Sequence, residues 1–216
     1  MPDGALTIRK SVPSAKRYAF DLDSYAHAYW CEGENMNKIP TLFIRDLNRQ
    51  PALVTPAWHP NCLWVRDGEG VATRKYDGTS CLVRDAKLYR RRELRSGDVA
   101  PADFESLGTD ENTGKTVGWV PVGDAPEDRW HREAFDGGSY ADGTYELLGP
   151  KIQGNKDKRS SHTLERHATA QTYPDAPRDF EALRVWLSEN EIEGLVWHHP
   201  DGRMAKIKRR DFGLKW

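Results

Sequence analysis

Three of four short stretches of this 216-residue chain are apolar enough to be strands yet carry charge where a core strand would not, and the other, the first of the four, is a polar Lys-x-Asp-Gly run. They are Lys75-Tyr76-Asp77-Gly78-Thr79-Ser80, Tyr145-Glu146-Leu147-Leu148-Gly149, Glu193-Gly194-Leu195-Val196-Trp197 and Lys206-Ile207-Lys208. A strand against a core has little reason to hold a carboxylate or two lysines unless they point into a cleft. In Ala205-Lys206-Ile207-Lys208, strand alternation puts Lys206 and Lys208 on one face and Ile207 on the other. Two ammonium groups side by side make a site for a phosphate. The same pattern also guards a sheet edge against aggregation. Taken alone, Lys-Tyr-Asp-Gly likewise reads as a hairpin turn preceded by an exposed lysine.

The rest of the chain predicts an α+β fold with a largely antiparallel sheet framework. Ile39–Arg45 reads as an opening strand. The three prolines between Gln50 and Asn61 mark a loop. Val71–Lys75 and Ser80–Val83 read as strands joined by a tight turn at Asp77-Gly78, and Lys87–Arg92 as a further strand with Leu88 and the arginines exposed in alternation. Residues 96–142 are rich in Gly, Pro, Asp and Glu and read as a loop-rich insertion over a sheet edge, with one apolar run, Val117–Val122. Gly143–Leu148 is a strand, and 151–161 a polar, basic loop. Phe180, Leu183 and Leu187 fall at helical spacing within Pro177–Asn190, with Pro177 suited to the first helical position. Ile192–His198 and Met204–Lys208 form two strands around a Pro200-Asp201-Gly202 turn. Residues 1–37 lack periodicity and read as an N-terminal extension, partly ordered at best, before a single domain over 38–216.

Composition narrows the function. With 38% hydrophobic residues there is material for a core, and no run approaches the ~20 apolar residues of a membrane span. No apolar signal segment opens the chain, so a cytoplasmic location is expected. Cys31, Cys62 and Cys81 are scattered and odd in number, which disfavours disulfides and structural zinc. Thirty-two basic residues balance thirty-three acidic ones, so a nucleic-acid surface must come from local clusters. Two exist, around Arg84–Arg95 and at the C-terminus. The pair His198-His199 beside Asp201 could suggest a metal, but adjacent strand residues face opposite ways. His162 and His167 lie near the basic loop, at a phosphate or simply at the surface. Trp119 could stack on RNA or pin the insertion. Tyr173 and His162 are candidates for a base-stacking ring, and Phe180 and Trp186 for the core.

In their order, the four charged segments resemble motifs of the covalent nucleotidyltransferase superfamily of polynucleotide ligases and capping enzymes. Leu88-Tyr89-Arg90-Arg91-Arg92-Glu93 is similar to the strand after the first motif. With Gly118–Val122, Glu146–Asn155 and Ile192–Trp216, the resemblance is to ATP-dependent RNA ligases, in the group containing the vertebrate 5′-to-3′ enzyme, and it covers approximately Lys38–Trp216. It implies an adenylation domain without a C-terminal OB-fold domain. It also implies ATP and Mg²⁺ (with Mn²⁺ as an alternative) and RNA carrying 5′-phosphate and 3′-hydroxyl ends, as in RNA repair, with no obligate protein partner. By resemblance Lys75 is the nucleophile that forms lysyl-AMP, oriented by Asp77. Gly78 belongs to the ATP site, Glu146 accepts from the ribose, Glu193 binds metal, and Lys206 and Lys208 hold the α-phosphate. Arg91 would hold the ribose or the RNA 5′-phosphate, with Arg90 and Arg92 as register alternatives. Lys151 and Lys156 are further RNA-binding candidates. The attacking lysine must be neutral, and nearby cations are expected to lower its pKa from about 10.4. Arg74 stands where such ligases often have Glu. The competing readings are a nucleotidyltransferase for another acceptor or of capping type, and a non-catalytic RNA-end-binding module.

Overall fold

The computed structural model describes residues 39–111, 113–136 and 138–216, so the expectation for 1–37 lies outside the described residues. The fold is α+β with mostly antiparallel sheets. The first two strands, β1 (Phe43–Asp46) and β2 (Leu53–Trp58), form a two-stranded ribbon, where the prolines had suggested loop. The register shifts between Phe43, opposite Trp58, and Arg45, opposite Val54. Pro56 falls within that irregularity, where a missing N–H breaks no regular ladder.

After a short helix, α1 (Leu63–Arg66), come β3 (Val71–Lys75), β4 (Thr79–Arg84) and β5 (Lys87–Leu94). The turn between β3 and β4 is not a hairpin. β3 pairs with a late strand, β10 (Gly194–His198), whereas β4 pairs with β5 and with β8 (Gly143–Leu148). Lys75 and Asp77 therefore lie at the seam between two sheets. A three-stranded sheet runs in the order β11 (Met204–Lys208), β10, β3. The other has six strands in the order β6 (Glu105–Thr109), β7 (Thr116–Pro121), β5, β4, β8, β9 (Thr163–Arg166). The stretch 96–142 does not lie over a sheet edge as loop: through β6 and β7 it is that edge, and it continues into α2 (Arg129–Phe135). β6 is polar and β7 is a short apolar run, so neither shows the apolar-polar alternation that would have marked it as a strand.

Each sheet packs one face onto a main core. Ala72, Leu195, Trp197, Ala205 and Ile207 turn the back of the three-stranded sheet onto a core shared with Phe43, Val65 and the helix α3 (Phe180–Glu189). Phe180 and Trp186 pack against this core, as expected. Cys81, Val83, Leu88, Tyr145 and Leu147 do the same for the six-stranded sheet beneath α2, so Leu88 is buried rather than exposed. Trp119 is buried with Leu82 and Tyr89 and pins the edge strands instead of offering a stacking surface. α3 begins one turn later than the proline suggested. Asp179 is its N-cap, accepting from the Ala182 N–H at 2.9 Å, so Pro177 precedes the helix. Among the described residues no helix is long and apolar enough to cross a membrane.

Leu195 is fully buried in the central strand of the smaller sheet. Leu195→Ala should lower the free energy of unfolding by about 2–5 kcal/mol, read from urea denaturation.

Candidate active site

The inner face of the three-stranded sheet follows from its register. Gly194 lies opposite Lys75 on one side and Lys208 on the other, Val196 opposite Thr73 and Lys206, and His198 opposite Val71 and Met204. Residues directly across a ladder project to the same face, and successive rows are about 7 Å apart. Lys75, Lys206 and Lys208 thus share one surface. It lines a cavity of about 630 Å³ whose other wall is the six-stranded sheet. Gly194 lets the strands close here: a β-carbon on it would come within 2.0 Å of the Ile207 carbonyl oxygen.

Glu193, immediately before β10, joins the two lysines of the first row. One carboxylate oxygen lies 2.6 Å from Lys75 Nζ and the other 2.5 Å from Lys208 Nζ, with the Glu193 side chain 5% exposed. Burial by itself would lower the Lys75 pKa, but the carboxylates of Glu193, Glu146 and Asp77 outweigh it and the net shift is upward. The expectation that cations would lower Lys75 therefore fails in this state, because the nearest charge is the Glu193 carboxylate. The depression falls on its neighbours. Burial, followed by the charges of Lys208 and Lys75, pushes Lys206 down to about 8. Lys208 is lowered by burial and by Lys75, against the pull of Glu193. Asp77 is raised by burial and by the charge of Glu193, an effect that its bond from Trp216 and the lysines oppose.

The facing sheet contributes Glu146 on β8. Its Oε1 accepts from the Gly78 N–H at 3.1 Å, and its Oε2 is 3.0 Å from His167 Nε2. Alternation on β5 decides among the three arginines. Arg91 faces the cavity, as do Ser80 and Glu146. Arg90 turns to the other side, where its Nε lies 2.5 Å from the buried Asp128, and Arg92 shares that side. As RNA contacts at the cavity, Arg90 and Arg92 are thus excluded by register.

Of the remaining candidates, Lys151 is exposed outside the cavity lining. Lys156 donates to the carbonyl of Trp216, whose indole N–H donates to Asp77 Oδ2 at 2.9 Å. His162 is taken up by structure, stacked on Trp130 at 4.5 Å and paired with Glu133 at 2.8 Å. Tyr173 packs edge-on against Trp186, next to the core, and so is no free stacking ring. His198 and His199 diverge, one to Thr73 and the other to Glu69 and Asp201. No cluster of three or more His, Cys, Asp or Glu side chains suited to a metal occurs among the described residues. Burial, with His167 nearby, drives His198 down to about 4, so it is neutral at pH 7 and faces the cavity as an uncharged polar group.

Sequence reasoning missed Thr73, Trp216 and Asp157, and weighed His198 only as a metal ligand, whereas it lines the cavity beside Thr73. Asp157 places Oδ1 at 2.7 Å from the Arg74 guanidinium and Oδ2 at 3.0 Å from the Asp77 N–H. Its only sequence signal is a lone acid inside a basic loop.

Comparison with known proteins points to one group. Residues 138–216 match the model of a family described as RNA ligase 1. That segment carries Glu146, Glu193, Lys206 and Lys208, while Lys75 lies outside it. RNA ligase 1 of Danio rerio is 33% identical over 81 residues, covering 34% of this chain and only 25% of that protein. RNA ligase 1 of Rattus norvegicus is 24% identical over 272 aligned positions, covering 85% of this chain and 83% of that protein. RNA ligase 1 of Mus musculus is likewise 24% identical, with 85% and 82% covered. The chain is similar to the RNA ligase group of the vertebrate type. Within that group, these relatives carry one name, RNA ligase 1.

The lowered pKa of Lys206 has a thermodynamic consequence. The unfolded chain holds its proton up to about 10.5 and the folded chain only to about 8, so this residue opposes folding below pH 8, and the penalty fades between pH 8 and 10.5. Lys206→Met should therefore raise the melting midpoint by several degrees at pH 7 and by much less at pH 10, measured by thermal denaturation.

Proposed function

We propose that this chain is an ATP-dependent RNA ligase that joins 5′-phosphate and 3′-hydroxyl ends through a lysyl-AMP intermediate. The observation that carries the reading is Glu193 spanning Lys75 and Lys208, with Lys206 on the same face of a cavity large enough for a nucleotide. A sheet edge guarded by lysines would leave them in solvent. Here they are drawn inward around a buried carboxylate.

In the proposed first step the neutral Lys75 amine attacks the α-phosphorus of ATP. A P–N bond forms, the bond to the bridging oxygen breaks, and its electron pair leaves with pyrophosphate. Because Glu193 and Glu146 hold the proton on Lys75, the amine must lose it before attack, and Glu193 Oε2 at 2.6 Å is positioned to take it. Lys206 and Lys208 would hold the α-phosphate oxygens and oppose the charge that builds on them. In the second step a 5′-phosphate oxygen of RNA attacks the same phosphorus and the P–N bond breaks, returning the pair to Lys75. A 3′-hydroxyl then attacks the activated 5′-phosphorus and expels AMP. Arg91, at the cavity wall, would steer the RNA phosphate.

Glu193 and Asp77 offer carboxylate oxygens, the donor type that Mg²⁺ or Mn²⁺ favours, and Glu193 would have to release a lysine to bind one. When bound, such a cation would neutralise charge on the phosphates.

Incubation with α-labelled ATP and Mg²⁺ should leave acid-labile, alkali-stable label on the protein. The label should vanish in Lys75→Ala and fall by about 10²-fold or more in Lys208→Ala. Label from neither ATP nor GTP would remove the enzyme reading and leave a binding module. In a sealing assay, Arg91→Ala should impair the RNA steps more than protein labelling, whereas Arg90→Ala should not. Sealing of DNA strands alone would overturn the RNA assignment.

A further inference from the structure

Asp157 is a carboxylate with its side chain 3% exposed. Burying a carboxylate is costly unless its lone pairs are used. Both oxygens of Asp157 are spent on the residues around Lys75: one pairs with the Arg74 guanidinium at 2.7 Å, and the other accepts the Asp77 N–H at 3.0 Å. The residue just before the lysine and the residue two beyond it are thus tied to a single side chain. Arg74 is held in turn over the Tyr76 ring, 5.3 Å from its centroid.

The loop bearing Asp157 is braced. Asn155 Oδ1 accepts the Arg159 N–H at 2.8 Å and its amide donates to the Arg159 carbonyl at 3.0 Å. Ile152, at the start of the loop, is buried in the core under the six-stranded sheet. The neighbour of Asp157, Lys156, holds the Trp216 carbonyl while the Trp216 indole bonds Asp77 Oδ2. Asp77 is therefore gripped at its backbone by Asp157 and at its carboxylate by Trp216.

We infer that Asp157 is the positioning residue of the nucleophile turn, fixing the backbone of residues 74–77 so that Lys75 is held against Glu193 and aimed into the cavity. Its catalytic consequence rests on the adenylyl-transfer reading above; its structural consequence does not. Misplacement of a reacting group by about 1 Å costs on the order of 10²-fold in rate.

The test uses the full chain with Asp157→Ala and the isosteric Asp157→Asn. The Asn variant keeps an acceptor for the Asp77 N–H but loses the charge that pairs with Arg74. Single-turnover labelling with ATP should slow by about 10²-fold in Asp157→Ala and about 10-fold in Asp157→Asn, with the KM for ATP within about threefold of the parent. A second readout needs no turnover. Acetylation of Lys75 by a limiting amount of acetic anhydride, mapped by mass spectrometry, should rise several-fold in Asp157→Ala as the amine leaves Glu193. Labelling rates and Lys75 reactivity unchanged in both variants would overturn the inference, as would losses that only track the folded fraction by circular dichroism. A parent protein that takes no label, with Lys75 reactivity still raised in the variants, would sink the ligase reading alone.

Discussion

A buried carboxylate between two ammonium groups governs this molecule. Glu193 comes just before β10, Lys75 ends β3 and Lys208 ends β11, so the triad pins the same end of all three strands of the smaller sheet. Removing either lysine would leave the other facing a carboxylate with unused lone pairs, and removing the carboxylate would leave two mostly buried cations side by side with no counter-charge between them. The arrangement also sets the local charge. Lys75 is kept protonated, while Lys206, in the next row, is lowered first by burial and then by the charges of Lys208 and Lys75. On the proposed reading, the phosphate of a bound nucleotide would relieve Lys206 and compete with Glu193 for Lys208.

The second constraint is the seam. Because β3 and β4 depart into different sheets, residues 76–78 have no partner strand, and their N–H groups need other acceptors. Two carboxylates supply them, Asp157 for Asp77 and Glu146 for Gly78. Gly78 admits no substitute, since a β-carbon there would sit 2.2 Å from the Leu147 carbonyl oxygen. The turn is held by side chains about 70 to 80 residues further along the chain, one on β8 and one in the loop that follows it. The candidate nucleophile thus depends on the whole domain.

Much of this was legible in the residues. Alternation alone put Lys206 and Lys208 on one face and Ile207 on the other, and charge beside apolar strand residues singled out Glu146, which lines the cavity, and Glu193, which pairs with Lys75 and Lys208. The helix near Phe180–Glu189 and the strand Met204–Lys208 follow from periods of 3.6 and 2. Local pattern failed where tertiary context replaced it. Pro56 sits in a strand because the ladder is irregular there. β6 and β7 form without apolar alternation because they extend a sheet already backed by other elements. Three successive arginines carry no mark of which one faces in.

The order and chemistry of the charged segments, and hence the resemblance to RNA ligases, were determined by the sequence by itself, because side-chain identity and a period-two alternation are local properties. Only the tertiary structure decided which strands pair across more than a hundred residues, and with them that Lys75 meets Glu193, that Arg91 rather than Arg90 faces the cavity, and that Asp157 closes on the nucleophile turn. Those outcomes turn on register and on the departure of β3 and β4 into separate sheets, which neighbouring residues do not encode.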